Sequence, residues 1–170
     1  LYPHHGLLDT VGIESCGMLE AGVSFSTKVL AQTVMMPTDD LSIKLNVPDD
    51  RHIIYIYIKR LRMVDGDPIL LQETYIPYNK CPHLLNEDLT TGSVLEIIKG
   101  RCGVKITRVQ DYIGMVEVRD EKGGLLGLKD GSCALLLEQY FYSGDEQIKY
   151  TRSVKRPDRF RFFIEFERKQ

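Results

Sequence analysis

The chain has 170 residues, enough for one domain with a sizeable core, and its hydrophobic fraction of 43% and charged fraction of 27% are those of a globular chain rather than a disordered one. A formal net charge of -2 and a pI near 6.1 argue against a surface built to grip the DNA backbone. No apolar run reaches the length of a membrane span, and the first residues lack the basic-then-apolar pattern of a secretion signal.

The first two dozen residues read weakly. Leu7, Leu8, Val11, Met18 and Leu19 would make a short apolar helix face, but Gly6, Gly12, Gly17 and Gly22 interrupt it. Lys28 to Met36 has the β-branched content of a strand. Pro37 and Thr38 then open a short helix, with Asp39 and Asp40 at its positive end and Leu41 and Leu45 on one face. His52 to Val64 is the clearest strand, Asp65-Gly66-Asp67-Pro68 a turn, and Ile69 to Ile76 the returning strand, stopped by Pro77. Thr91-Gly92-Ser93 caps a helix carrying Val94, Leu95, Ile97 and Ile98 and closed by Gly100 and Gly103. Val104 to Arg119 is extended, and its alternation slips near Asp111, which predicts a bulge or register change. A weak helix over Glu121 to Leu128 precedes three strands, Cys133 to Tyr142, Gln147 to Lys155 and Arg159 to Glu167. Hairpins dominate, which predicts an α+β domain on an antiparallel sheet.

Two constellations stand out and one class of motif is missing. Ile54, Ile56 and Ile58 share a strand face with Arg60 and Arg62, and guanidinium groups on an inward face need anions. A two-residue loop at Asp65-Gly66 sets Arg62 opposite Ile69 and Arg60 opposite Leu71, so that Glu73 joins the arginine face; another loop length reverses this. The pair is then either the wall of a phosphate or carboxylate pocket or half of a cross-strand salt bridge with Glu73. Tyr150 and Arg152 share a face with Val154, and the basic residues from Lys149 to Lys169 alternate with acids as on a solvated strand face. No nucleophile elbow, zinc-protease, Walker or dinucleotide motif occurs. Cys16, Cys81, Cys102 and Cys133 are widely spaced, which predicts four free thiols in a reducing compartment and neither a zinc site nor a disulfide framework.

Arg60 to Pro77, R-L-R-M-V-D-G-D-P-I-L-L-Q-E-T-Y-I-P, resembles the hallmark hairpin of UTRA domains, the effector-sensing halves of HutC-subfamily GntR regulators. Phe25 to Leu30, Asp88-Leu89 followed by Gly92-Ser93, and Tyr150 to Ser153 followed by Arg156 and Asp158 to Phe162 resemble further family segments in the same order. The resemblance covers residues 20–168. It implies a chorismate-lyase-like fold, a central antiparallel sheet with flanking helices. It further implies a cytoplasmic homodimer, part of a repressor, whose pocket takes a small anionic effector (a sugar phosphate or organic acid), with DNA bound only by a winged helix-turn-helix outside this chain. Residues 1–19 then read as a linker or N-terminal remnant and 20–170 as the effector domain. The positions matching family ligand contacts are Phe25, Ser26, Thr27, Arg60, Arg62, Glu73, Ser93, Tyr150 and Arg152. Leu95 stands where sugar-phosphate-sensing relatives carry Tyr. No catalytic residue, metal or cofactor is implied. The alternatives are a chorismate-lyase-like enzyme, in which the arginines hold a dicarboxylate and Glu73 protonates a leaving group, and a dimerisation module with a vestigial pocket.

Overall fold

A computed structural model describes residues 2–4, 25–48 and 52–162. The helix face expected around Leu7 to Leu19, and the expected strand beyond Phe162, lie outside the described residues. The strands are β1 (Tyr2–His4), β2 (Phe25–Met35), β3 (Tyr55–Val64), β4 (Asp67–Pro77), β5 (Arg108–Val118), β6 (Ser132–Ser143), β7 (Glu146–Lys155) and β8 (Phe160–Phe162). The helices are α1 (Asp39–Lys44), α2 (Val94–Arg101) and α3 (Asp120–Leu125), and 3-10 turns at Tyr78–Lys80 and Pro82–Asn86 follow β4.

Six strands form one antiparallel sheet in the order β2-β3-β4-β7-β6-β5, while β1 and β8 pair separately in parallel. Each hairpin is local: Asp65 and Gly66 both adopt positive φ (49° and 84°), the conformation that matches the twist of flanking strands. The chain leaves the sheet after β4, builds α2, β5, α3 and β6, and returns with β7 beside β4.

Helices cover the two faces differently. On one face Ile56, Ile58 and Ile76 pack against Val94 and Ile98 of α2 and against Leu84 and Leu89. On the other, Leu61, Leu71 and Val154 pack with Leu126 beyond α3, and Tyr55 and Tyr150 pack with Leu45 beyond α1. Ile56, Ile58 and Ile76 are fully buried, each contributing roughly 1.5–3 kcal/mol of burial free energy. α1 begins as expected, with Thr38 extended before it and Asp39 and Asp40 in its first turn.

Three expectations are corrected. The β5–β6 ladder runs unbroken from Arg108↔Tyr142 to Val118↔Ser132, so there is no bulge at Asp111. The sequence pattern slips there because β5 is an outer strand whose apolar residues are not all covered. A bulge does occur, but between β3 and β4: Met63 pairs with Pro68, whereas Arg62 pairs with Leu70. Ile69 is the extra residue. Pro68 has no N–H to give the ladder, and the Ile69 carbonyl accepts from Arg156 N (3.0 Å) instead. Finally, Cys81 and Cys102 are joined by a disulfide, so of the described cysteines only Cys133 is free. The fold brings the residue after the 3-10 turn and the residue after α2 to a Cα separation of 5.3 Å, which no sequence spacing reveals.

Candidate functional site

The bulge decides which side chains meet. Because one residue of slip turns every following side chain to the opposite face, Arg60 lies opposite Gln72, and Lys59 opposite Glu73. Glu73 therefore does not share the arginine face. Gln72 does.

On the α2 side the strands present rows of polar groups inside an apolar frame. Arg60 and Arg62 are 3% and 8% exposed. Arg60 donates from Nη2 to Gln72 Oε1 (2.7 Å) and from Nη1 to the Gly92 carbonyl (3.2 Å). Gln72 Nε2 reaches Ser153 Oγ (3.5 Å), and the Thr74 and Thr151 hydroxyls are 3.4 Å apart. At the far side Gln139 Nε2 donates to Asp111 Oδ1 (3.1 Å). Thr27 pairs with Arg62 and so faces the same way. Ser93 precedes α2 in extended conformation, its hydroxyl making no capping bond, next to the Gly92 carbonyl that holds Arg60. The Nε of Arg62 is buried without a hydrogen-bond partner, and no carboxylate among the described residues is ion-paired to that guanidinium. A buried cation left so is costly unless an anion completes it.

Lys149 and Lys155 belong to the same face, since Thr151 and Ser153 alternate with them along β7. They are 7% and 1% exposed, against the expectation of a solvated strand face. Their ammonium groups sit over the Phe141 and Phe160 rings at 4.2 and 4.9 Å. Lys155 and Arg62 flank Leu70, which adds to the positive potential at that end.

The opposite face holds a separate network, in which Arg152 Nη1 is likewise buried without a hydrogen-bond partner. Glu73 accepts from Tyr57 Oη (3.0 Å) and lies 3.1 Å from Lys122 Nζ and 3.5 Å from Arg152 Nη1. Burial pushes the Glu73 carboxyl up, but Lys122, the Tyr57 hydrogen bond and Arg152 outweigh it and hold it below its ordinary value. Tyr150 Oη donates to Glu138 Oε1 (2.5 Å), which also binds Lys44 (3.0 Å). Burial, then that bond to Glu138, raises the Tyr150 phenol, and burial with the Glu73 charge pushes Tyr75 up to about 12.

The candidates named from sequence are thus divided. Thr27, Arg60, Arg62 and Ser93 come together beside α2, whereas Glu73, Tyr150 and Arg152 gather on the other face, with Ser26 pairing Met63. The Phe25 backbone pairs with Val64, and its side chain lies outside the described ones. Sequence reading missed Gln72, Thr74, Gln139, Lys149, Thr151, Ser153 and Lys155. The signal was present in β7, where four polar residues alternate from Lys149 to Lys155.

The family model described as the UTRA domain matches residues 20–161, and the chain belongs to that family. It is 32% identical over 111 residues to the HTH-type transcriptional regulator TreR of Bacillus subtilis (strain 168), covering 65% of this chain and 46% of that one. It resembles the crystal structure of the effector domain of PhnF from Mycobacterium smegmatis with a TM-score of 0.81 at 24% identity, over 93% of this chain and 96% of that one. The C-terminal domain of the histidine utilization repressor from Pseudomonas syringae pv. tomato str. DC3000 gives a TM-score of 0.74 at 14% identity, over 85% and 100% of the two chains. The fold is the expected chorismate-lyase-like α+β architecture. The chain spans about half the length of the curated relatives it matches. These relatives are transcription regulators and not enzymes, and the division of Glu73 from the arginines leaves the lyase-like constellation unassembled.

Proposed function

We propose that this domain senses a small anionic metabolite, a sugar phosphate or an organic acid, on the α2 side of the sheet. The carrying observation is Arg62, a buried guanidinium whose Nε lacks a partner, beside Arg60, Thr27 and Ser93. Two planar forks suit a phosphate or carboxylate, the Ser93 hydroxyl and the first N–H groups of α2 add donors, and Gln72, Thr74, Thr151 and Ser153 offer partners to ligand hydroxyls. Gln72, a neutral side chain, takes the place on the arginine face first assigned to Glu73. Tyr150, Arg152 and Glu73 hold the opposite face together and do not touch this anion.

In the whole protein the domain works as a homodimer in the cytoplasm, with residues 20–170 as the effector domain and 1–19 as linker. It controls operator binding, as a HutC-type repressor, through a winged helix-turn-helix outside this chain. The ligand shifts that equilibrium only by as much as its affinity differs between the DNA-bound and released forms. A thermal-shift screen of sugar phosphates and organic acids tests the reading: a ligand near a hundred times its dissociation constant adds about 2.7 kcal/mol of stability. A panel without any shift contradicts it.

A further inference from the structure

The disulfide closes a loop that contains one wall of the arginine site. Between Cys81 and Cys102, 21 positions apart, lie the 3-10 turn Pro82–Asn86, the Gly92-Ser93 entry and all of α2. The Gly92 carbonyl in that loop accepts from Arg60 Nη1 (3.2 Å), and Ser93 stands beside it at the start of α2. Arg60 and Arg62 stand on β3, outside the loop. The site therefore joins a sheet floor to a wall carried by another segment. Apolar packing and two hydrogen bonds also hold that segment. Leu84, Leu89, Val94 and Ile98 pack on Ile56, Ile58 and Ile76, with Cys81 and Cys102 in the same cluster. Gln32 Nε2 donates to the Leu84 carbonyl (2.6 Å) and the Glu87 carbonyl (3.0 Å). The Arg101–Glu87 ion pair lies within the segment and ties it only to itself.

We propose that Cys81 and Cys102 form a redox switch on the effector site: the disulfide clasps α2 against the sheet and keeps the site competent, and reduction to two thiols releases α2 and weakens anion binding. The switch rests on the anion-site reading above. In the reducing compartment of that reading the clasp closes only when the thiol pool is oxidised. Opening proceeds by exchange with a small thiol. Cys81 is fully buried and Cys102 half-buried, so the small thiolate attacks the Cys102 sulfur, forming a mixed disulfide there and releasing the Cys81 thiolate. A second small thiolate attacks the outer sulfur of that mixed disulfide and releases the Cys102 thiolate. Two small thiols become one small disulfide, and their two protons pass to the cysteines. Closure is the reverse, with the small disulfide as oxidant. Once released, the wall must be ordered again each time an anion binds. With the wall in place in about one molecule in ten, the apparent affinity falls about tenfold.

The test uses the full chain with Cys16 and Cys133 changed to Ser, so that one cysteine pair responds. Calorimetry with inorganic phosphate, and then with a sugar phosphate, is run on the oxidised and the reduced protein, each state checked by thiol alkylation and mass. The oxidised protein should bind about tenfold more tightly. Cys102→Ser should bind as the reduced protein does and ignore reductant, and circular dichroism should keep the sheet signal throughout. Without any ligand, the Arg60 Nε–Hε signal in NMR should move on reduction, because its Gly92 partner is carried by the clasped segment. Equal affinity in both states with an unmoved Arg60 signal would overturn the switch and leave the site standing. A reduced chain that loses its sheet would make the bond a structural staple and overturn the switch as well. Binding in neither state would overturn the site reading and this control with it.

Discussion

Replacing Arg62 with Met should make the ligand-free domain more stable. Arg62 is 8% exposed, its Nε has no partner, and no described carboxylate pairs with it, so folding removes the charge from water with little return. Exchanging a buried ion for an apolar side chain of similar length commonly stabilises by about 1–4 kcal/mol. The low end applies here because Arg62 is not fully buried, and each kcal/mol moves the melting temperature of a domain this size by about 2–4 °C. Arg60→Met should do the reverse. It strands the buried Gln72 Oε1 acceptor, at about 1–3 kcal/mol for a buried group left unsatisfied, while the exposed Gly92 carbonyl can turn to water. Both variants should lose the stabilisation that inorganic phosphate or a sugar phosphate gives the parent. Urea unfolding with and without phosphate measures all of this. An Arg62→Met protein that is less stable than the parent yet still gains from phosphate would refute the reasoning, because Arg62 would then be a satisfied structural cation.

Gln72→Glu places a carboxylate against Arg60, which should raise ligand-free stability by about 1 kcal/mol and weaken phosphate binding tenfold or more, read by calorimetry. The Glu73 carboxyl is held below its ordinary value, so its stabilisation is fully present above the unfolded carboxylate pKa of about 4.3 and is lost as pH falls through the lower folded value. Glu73→Gln should flatten the stability profile in that acidic range without altering phosphate affinity at neutral pH; an altered affinity would place Glu73 at the ligand. Cys81 and Cys102 close a loop with a separation of 21 residues, so adding reductant should lower the unfolding free energy by about 3 kcal/mol. An unchanged unfolding curve, with no Cys81–Cys102 peptide in the non-reduced digest, would contradict the disulfide.

The strands were legible because their signals are local. Alternation from Ile54 to Arg62, the Asp-Gly turn and Pro77 determine β3 and β4 to within three residues at each end. The arginine pair was legible for the same reason, since alternation alone sets both on one face. The partner of that pair was not. It depends on a single extra residue at Ile69, whose carbonyl is drawn to Arg156, a contact 87 positions away in the chain. Lys149 and Lys155 were misread because burial belongs to the assembled sheet: a basic alternating run looks the same whether helices or water cover it. The parallel pairing of β1 with β8 joins segments at opposite ends of the chain, and nothing in either sequence announces it.

The central claim is that an anion binds beside α2 and not on the tyrosine-lined face. Side-chain NMR of the arginine Nε–Hε groups during titration with inorganic phosphate, and then with a sugar phosphate, reads the two faces separately. The Arg60 and Arg62 signals should shift and saturate together while Arg152, tied to Glu73 on the opposite face, stays in place. Saturating shifts at Arg152 with Arg60 and Arg62 unmoved would contradict the account.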